Sequence, residues 1–105
     1  ACIEWIYEKP HDRQNPLGSE QGIAELKQLS AESGVDIRSI CADYYMQEHL
    51  LDREGVPHQA TVDHLQWLMR QAAKLPVIYM VLPFVDASSL STPGQRDGII
   101  SLMTI

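Results

Sequence analysis

Three times along this chain, a short run of β-branched and aromatic residues gives way to a loop and then to an apolar stripe at helical spacing. No other feature restricts its fold as much. The first run, "CIEWIY" (Cys2 to Tyr7), stops at "EKPHDRQNPLG" (Glu8 to Gly18), where two prolines among polar residues mark a loop. Ser19 then stands where a helix N-cap belongs. Ile23, Leu26 and Leu29, with Ala24 and Ala31 beside them, recur at the spacing of one helix face. Gly34 is placed to end that helix in a left-handed turn.

The second run, "VDIRSICA" (Val35 to Ala42), follows that glycine directly, and a loop of about 17 residues, Asp43 to Gln59, comes after it. Val62, Leu65, Met69 and Ala72, flanked by Leu68 and Ala73, mark the next helix. "VIYMVLPF" (Val77 to Phe84) is nearly continuous apolar sequence, the pattern of a parallel strand covered on both faces. Thr92, Pro93 and Gln95 form a capping box with proline at the first helical position, and Ile99, Ile100, Leu102 and Met103 continue as helix. The order βαβαβα predicts an α/β fold with parallel strands joined by crossover helices. Loops after strands are long and loops before them short. In such folds the loops at the C-terminal ends of strands carry the binding work.

Candidate site residues are therefore sought at strand ends. Within "SICADYYM" (Ser39 to Met46), alternation sets Ser39, Cys41 and Asp43 on one side and Ile40, Ala42 and Tyr44 on the other. Cys41 and Asp43 then fall where a ligand would sit; the alternative is a small buried thiol and a turn-capping carboxylate. In "PFVDASSL" (Pro83 to Leu90), Asp86, Ser88 and Ser89 suit a polyol or phosphate, or else Asx and Ser turns. Glu8, at the end of the first strand, follows the same logic.

His11, His49, His58 and His64 are scattered, with no pair at the one-turn spacing of a helical metal site, and read as solvated surface residues. Trp5 and Trp67 fit core or interface packing. No nucleophile-elbow or glycine-rich phosphate-loop pattern occurs. A formal net charge of -6, with the eight Lys and Arg dispersed, argues against nucleic-acid and anionic-membrane partners. The longest apolar run, Val77 to Val85, is far shorter than the roughly 20 residues of a membrane span. Cys2 and Cys41, far apart and outside any disulfide framework, fit reduced thiols and a cytoplasmic location.

Taken together, "IEWIYE…NPLGSEQGIAEL", "SICADYYM" and "VLPFVDASSL" resemble the sugar isomerase/epimerase superfamily with the xylose isomerase-like TIM barrel, above all its sugar-phosphate and ketose epimerase members. The resemblance covers nearly the whole chain. It implies a βαβαβα segment, about the second to fourth strands, of a (β/α)8 barrel that runs to about 250 residues when closed. It also implies a divalent metal (Mn, Mg, Zn or Co), held by carboxylates and a histidine from later strands, and a glutamate that moves a proton next to a sugar carbonyl. The metal-binding half would lie outside this chain, so no metal is expected on these residues alone. By position, Cys41 is similar to the pocket-facing residue at the end of the third family strand, and Asp43, Tyr44 and Asp86 share its rim. With Glu8 and Ser88 they make the expected substrate-contacting set. "KLPVIY" departs from the family, whose members more often place glycine where Leu75 and Pro76 stand.

The resulting expectation is one partial barrel domain over residues 1–105, part of a metal-dependent sugar or sugar-phosphate isomerase or epimerase. A start on a strand without Met and a stop within a helix fit a fragment, a processed piece or a truncated reading frame. The competing expectation is a non-catalytic, self-associating α/β domain. A third keeps the barrel but makes it a dehydratase or an abasic-site endonuclease, the latter opposed by the acidic charge. Three parallel strands leave two open edges, so a second copy or the remainder of a barrel is the expected protein partner, with a small sugar or sugar phosphate as ligand.

Overall fold

The computed structural model describes residues 1–104. In chain order its elements are β1 (Cys2–Ile6), α1 (Glu20–Ser33), β2 (Asp36–Cys41), α2 (Tyr44–Gln47), α3 (Gln59–Ala72), β3 (Tyr79–Val81) and α4 (Pro93–Met103). Single 3-10 turns lie at Lys9–His11, Pro16–Gly18 and Asp86–Ser88. The strands form one sheet in the order β1-β2-β3, and both pairs are parallel. The protein is thus an α/β fold with four helices, none of which among the described residues is long and apolar enough to cross a membrane.

Local chemistry sets the helix ends where the sequence places them. Ser19 Oγ accepts from the Gly22 N–H at 3.0 Å, and Gly34 closes α1 in the left-handed region, donating its N–H to the Ser30 carbonyl at 2.9 Å. At α4 the capping box is reciprocal: Thr92 Oγ1 accepts from the Gln95 N–H at 3.1 Å while Gln95 Oε1 accepts from the Thr92 N–H at 3.2 Å.

The β1–β2 ladder holds an irregularity that simple alternation does not foresee. Ile3 lies opposite Ile37 but Glu4 lies opposite Ser39, so Arg38 is an extra residue in β2. The bulge moves Ile37 onto the face of Ile40 and Ala42, and all three are buried. They share one core with Ile23 and Leu26 of α1 and with Val62, Leu65, Leu68 and Ala72 of α3.

Among the described residues, helices cover only that face of the sheet. On the opposite face the register builds two cross-strand rows, Glu4–Ser39–Tyr79 and Ile6–Cys41–Val81. Ser39 Oγ donates to Glu4 Oε2 at 2.6 Å, yet Ile6 is 52% exposed and Tyr79 69%. This corrects the reading of "VIYMVLPF" as a strand covered twice. Tyr79 to Val81 alone pairs as strand, and Ile78, Tyr79 and Val81 stay exposed, because α1 and α3 both pack on one side. Met80, Leu82 and Phe84 reach the core from that side.

The helical stripes also shift. Leu29 and Met69 are exposed, and Leu68 with Gln71 takes the inner face of α3 instead. Gln71, although buried, donates its Nε2 to the Leu17 carbonyl at 2.8 Å and so ties α3 to the Pro16–Gly18 turn. The expected loop from Asp43 to Gln59 holds structure of its own: α2, then an antiparallel bridge between Leu51 and Pro57. Asp52 Oδ1 accepts from the N–H groups of Glu54 and Val56, both at 2.9 Å, which folds the chain between the bridge partners. The first turn of α4 is fastened to this loop, with Thr92 Oγ1 donating to the Arg53 carbonyl at 3.0 Å.

Candidate functional site

Each strand delivers a carboxylate just beyond its C-terminal end: Glu8 after β1, Asp43 after β2 and Asp86 after β3. The three line one cleft of about 350 Å³, together with Lys9, Met46 and Gln47. Parallel pairing brings the strand ends level, so residues far apart in sequence meet at one rim. Lys9 Nζ stands 3.1 Å from Glu48 Oε1 and 5.3 Å from the centroid of the Tyr44 ring, which holds this cation at the edge of the cleft.

Cys41 supports this rim from within the sheet. Its thiol donates to Asp43 Oδ1 at 3.0 Å and orients that carboxylate. Burial first, then the hydrogen bond to Asp43 and the charges of Asp43 and Glu4, push the thiol up to about 12. At neutral pH it is an S–H donor and not a thiolate nucleophile.

Two of the expected residues stand elsewhere. Tyr44 is buried among rings, stacked on His64 with centroids 4.2 Å apart and planes 6° from parallel, and 5.6 Å from Tyr7. Ser88 spends its hydroxyl on the turn, accepting from the Val85 N–H at 3.2 Å and donating to the Val85 carbonyl at 2.9 Å. Ser89 Oγ likewise donates to the Asp86 carbonyl at 2.7 Å. These serines build the turn that presents Asp86, whose φ of 52° is one of the few left-handed conformations an aspartate tolerates.

The reading of all histidines as solvated surface residues is corrected at His64. It is half-buried within a cluster of Tyr7, Tyr44, Tyr45 and Trp67, and its Nδ1 lies 2.8 Å from the Tyr45 hydroxyl. With the ring proton on Nε2, the hydroxyl donates to Nδ1. The signal was in the sequence: His64, Trp67, Leu68 and Gln71 recur at one helix-face spacing. His49 and His58 are tied to backbone carbonyls, of Met46 at 3.0 Å and of His49 at 2.9 Å.

Burial lowers the affinity of His64 for a proton, nearby Lys9 acts in the same direction, and Asp12 and Glu48 oppose it. Tyr7, Tyr44 and Tyr45 face the ring with their own acidities suppressed. The folded state then binds this proton less readily than the unfolded state does, so stability is full above the ordinary imidazole pKa of about 6.5 and declines as pH falls through and below it. Urea midpoints at pH 7.5 and pH 5 are expected to differ more for the parent than for His64→Gln. Equal differences would remove His64 from the pH dependence.

Among the described residues, no group of three or more His, Cys, Asp and Glu is arranged to hold a metal ion. Glu8, Asp43 and Asp86 share a cleft without converging on a point. What they offer is a row of hydrogen-bond acceptors, suited to a ligand that presents several hydroxyl donors. No protein-family model, curated protein or solved structure matches the chain.

Proposed function

We propose that the chain is three β/α units of a xylose isomerase-like (β/α)8 barrel, forming one wall of the sugar site of a sugar or sugar-phosphate isomerase or epimerase. The observation that carries the reading is the common cleft of Glu8, Asp43 and Asp86, built from the C-terminal ends of three successive parallel strands. That is where barrels of this kind bind their ligands. A second support is the sequential strand order with α1 and α3 on one face, since a doubly wound sheet would send helices to both.

On this reading Glu8, Asp43 and Asp86 accept hydrogen bonds from sugar hydroxyls, and Cys41 fixes the orientation of Asp43. The residues present do not fit the divalent metal that the resemblance implies, so no proton-transfer step is assigned to them. The rival reading, a non-catalytic α/β domain, draws on the same missing ligand set and on the bare sheet face.

One wall of a pocket binds weakly, with a dissociation constant on the order of millimolar. Titration of the chain with ketopentoses and their phosphates, followed by amide NMR shifts, is expected to perturb residues around Glu8, Asp43 and Asp86, and Asp43→Ala is expected to abolish the response. Perturbation confined to other surfaces, or none at about 50 mM ligand, well above a millimolar constant, would overturn the sugar reading.

A further inference from the structure

The uncovered sheet face carries two carboxylates, Asp36, level with Cys2 and 3.4 Å from Arg38, and Glu4, which has no such cation beside it. Glu4 stands in the row with Ser39 and Tyr79, next to the row of Ile6, Cys41 and Val81. Among the described residues, Glu4 has no Lys, Arg or His within ion-pair distance. A parallel sheet is normally covered by helices on both faces, and among the described residues no helix packs on this one.

One helix of the same chain presents a complementary set. On α4, Ile99 turns into the core and Leu102 packs against it, while Arg96, Ile100 and Met103 recur at i, i+4 and i+7 along an exposed flank, with Ile100 64% exposed. Among the described residues, the Arg96 guanidinium holds one long contact, 3.4 Å from Nε to the Leu90 carbonyl. The spacings agree as well. Four helical residues advance by about 6 Å, and two strand residues by about 6.6 Å. A helix lying along the strands with Arg96 over Glu4 therefore sets Ile100 over the Ile6–Cys41–Val81 row.

We propose that the bare face takes the α4 flank of a second copy of this chain, with Arg96 of one copy opposite Glu4 of the other, Ile100 on the Ile6–Cys41–Val81 row and Met103 about 4.5 Å further along, at the C-terminal ends of the strands. The pairing matches opposite charge to opposite charge and apolar surface to apolar surface, and both halves are present in every molecule. It goes beyond the sugar-binding reading and uses none of the carboxylates of the cleft; in a closed barrel the same face turns inward, so the second copy takes the place that the remaining strands would fill.

A charge-swap cycle in the 105-residue chain tests it, read by sedimentation equilibrium from about 1 to 100 µM, a range that brackets micromolar affinity. The parent is expected to self-associate. Glu4→Lys, Arg96→Glu and Ile100→Ser are each expected to weaken association about tenfold or more, and the Glu4→Lys/Arg96→Glu double variant to return to within about threefold of the parent. Circular dichroism confirms folding of each variant. Arg96→Glu and Ile100→Ser change only exposed helix positions, so they keep the test decisive if Glu4→Lys disturbs the sheet. A monomeric parent, association indifferent to Arg96→Glu and Ile100→Ser as strand-edge pairing would be, or a folded double variant that fails to recover would each overturn the proposal.

Discussion

Leu68→Ala is expected to lower stability by about 2–5 kcal/mol, enough to remove a large share of the roughly 5–15 kcal/mol that holds a domain folded. Leu68 is one of the largest fully buried side chains, with Ile40 and Leu17, and it lies on the inner face of α3 within the single core. Truncation removes apolar surface and leaves a void that the packed sheet and helices fill only in part. With a urea slope of about 1–3 kcal/mol/M, the midpoint is expected to fall by about 1 M or more, whereas Leu68→Met should shift it far less. A fall below about 0.3 M for the alanine variant, small against that slope, would show that position 68 is not enclosed.

Gly55→Ala is expected to detach α4 from the rest of the molecule. Gly55 has a φ of 88°, a region that L side chains rarely adopt. A Cβ there would also overlap the carbonyl oxygen and carbon of Gly94. Both obstructing atoms are backbone, so no rotamer change relieves the overlap and the first turn of α4 must move away. Strain of this kind with the loss of the buried Ile99 contact amounts to about 2 kcal/mol or more. Hydrogen exchange is expected to show protection lost across α4 and kept in α3 and the sheet. Gly18→Ala is the control, because its nearest obstructing atom, the Asp12 carbonyl oxygen, is 3.9 Å away, and its effect should stay within about 0.5 kcal/mol. Undiminished protection in α4 of Gly55→Ala would show that the loop and helix do not rest on each other.

The elements were readable where the physics is local. Ser19, Gly34 and the Thr92–Gln95 box act within one turn of chain, so their spacing alone placed the helix ends. Parallel strands with long loops after them likewise placed Glu8, Asp43 and Asp86 at one rim. What escaped depends on partners distant in sequence. Gln71 looks like a surface amide until the Leu17 carbonyl, which accepts from it, is set beside it. Met69 and Leu68 are both apolar, and the face that α3 turns to the core decides which is enclosed. Tyr44 and Ser88 left the expected site because a short helix and a 3-10 turn re-aim side chains immediately after a strand ends. His64 was judged by metal-ligand spacing, which says nothing about a ring that fills an aromatic cluster.

The extra residue at Arg38 has a meaning for how this strand tolerates change. An ordinary strand has one inside–outside phase along its length, and losing a residue inverts everything on one side of the loss. Here two phases are spliced at Arg38, with Ile37 belonging to one and Ile40 to the other, yet both end in the core. Removing Arg38 would set Ile37 and Ile40 two positions apart on one face of a regular ladder, both still turned to the core, so β2 is expected to tolerate this loss where an ordinary strand would turn itself inside out. The residue is spare as far as burial goes, and what it adds is its own exposed side chain, set 3.4 Å from Asp36.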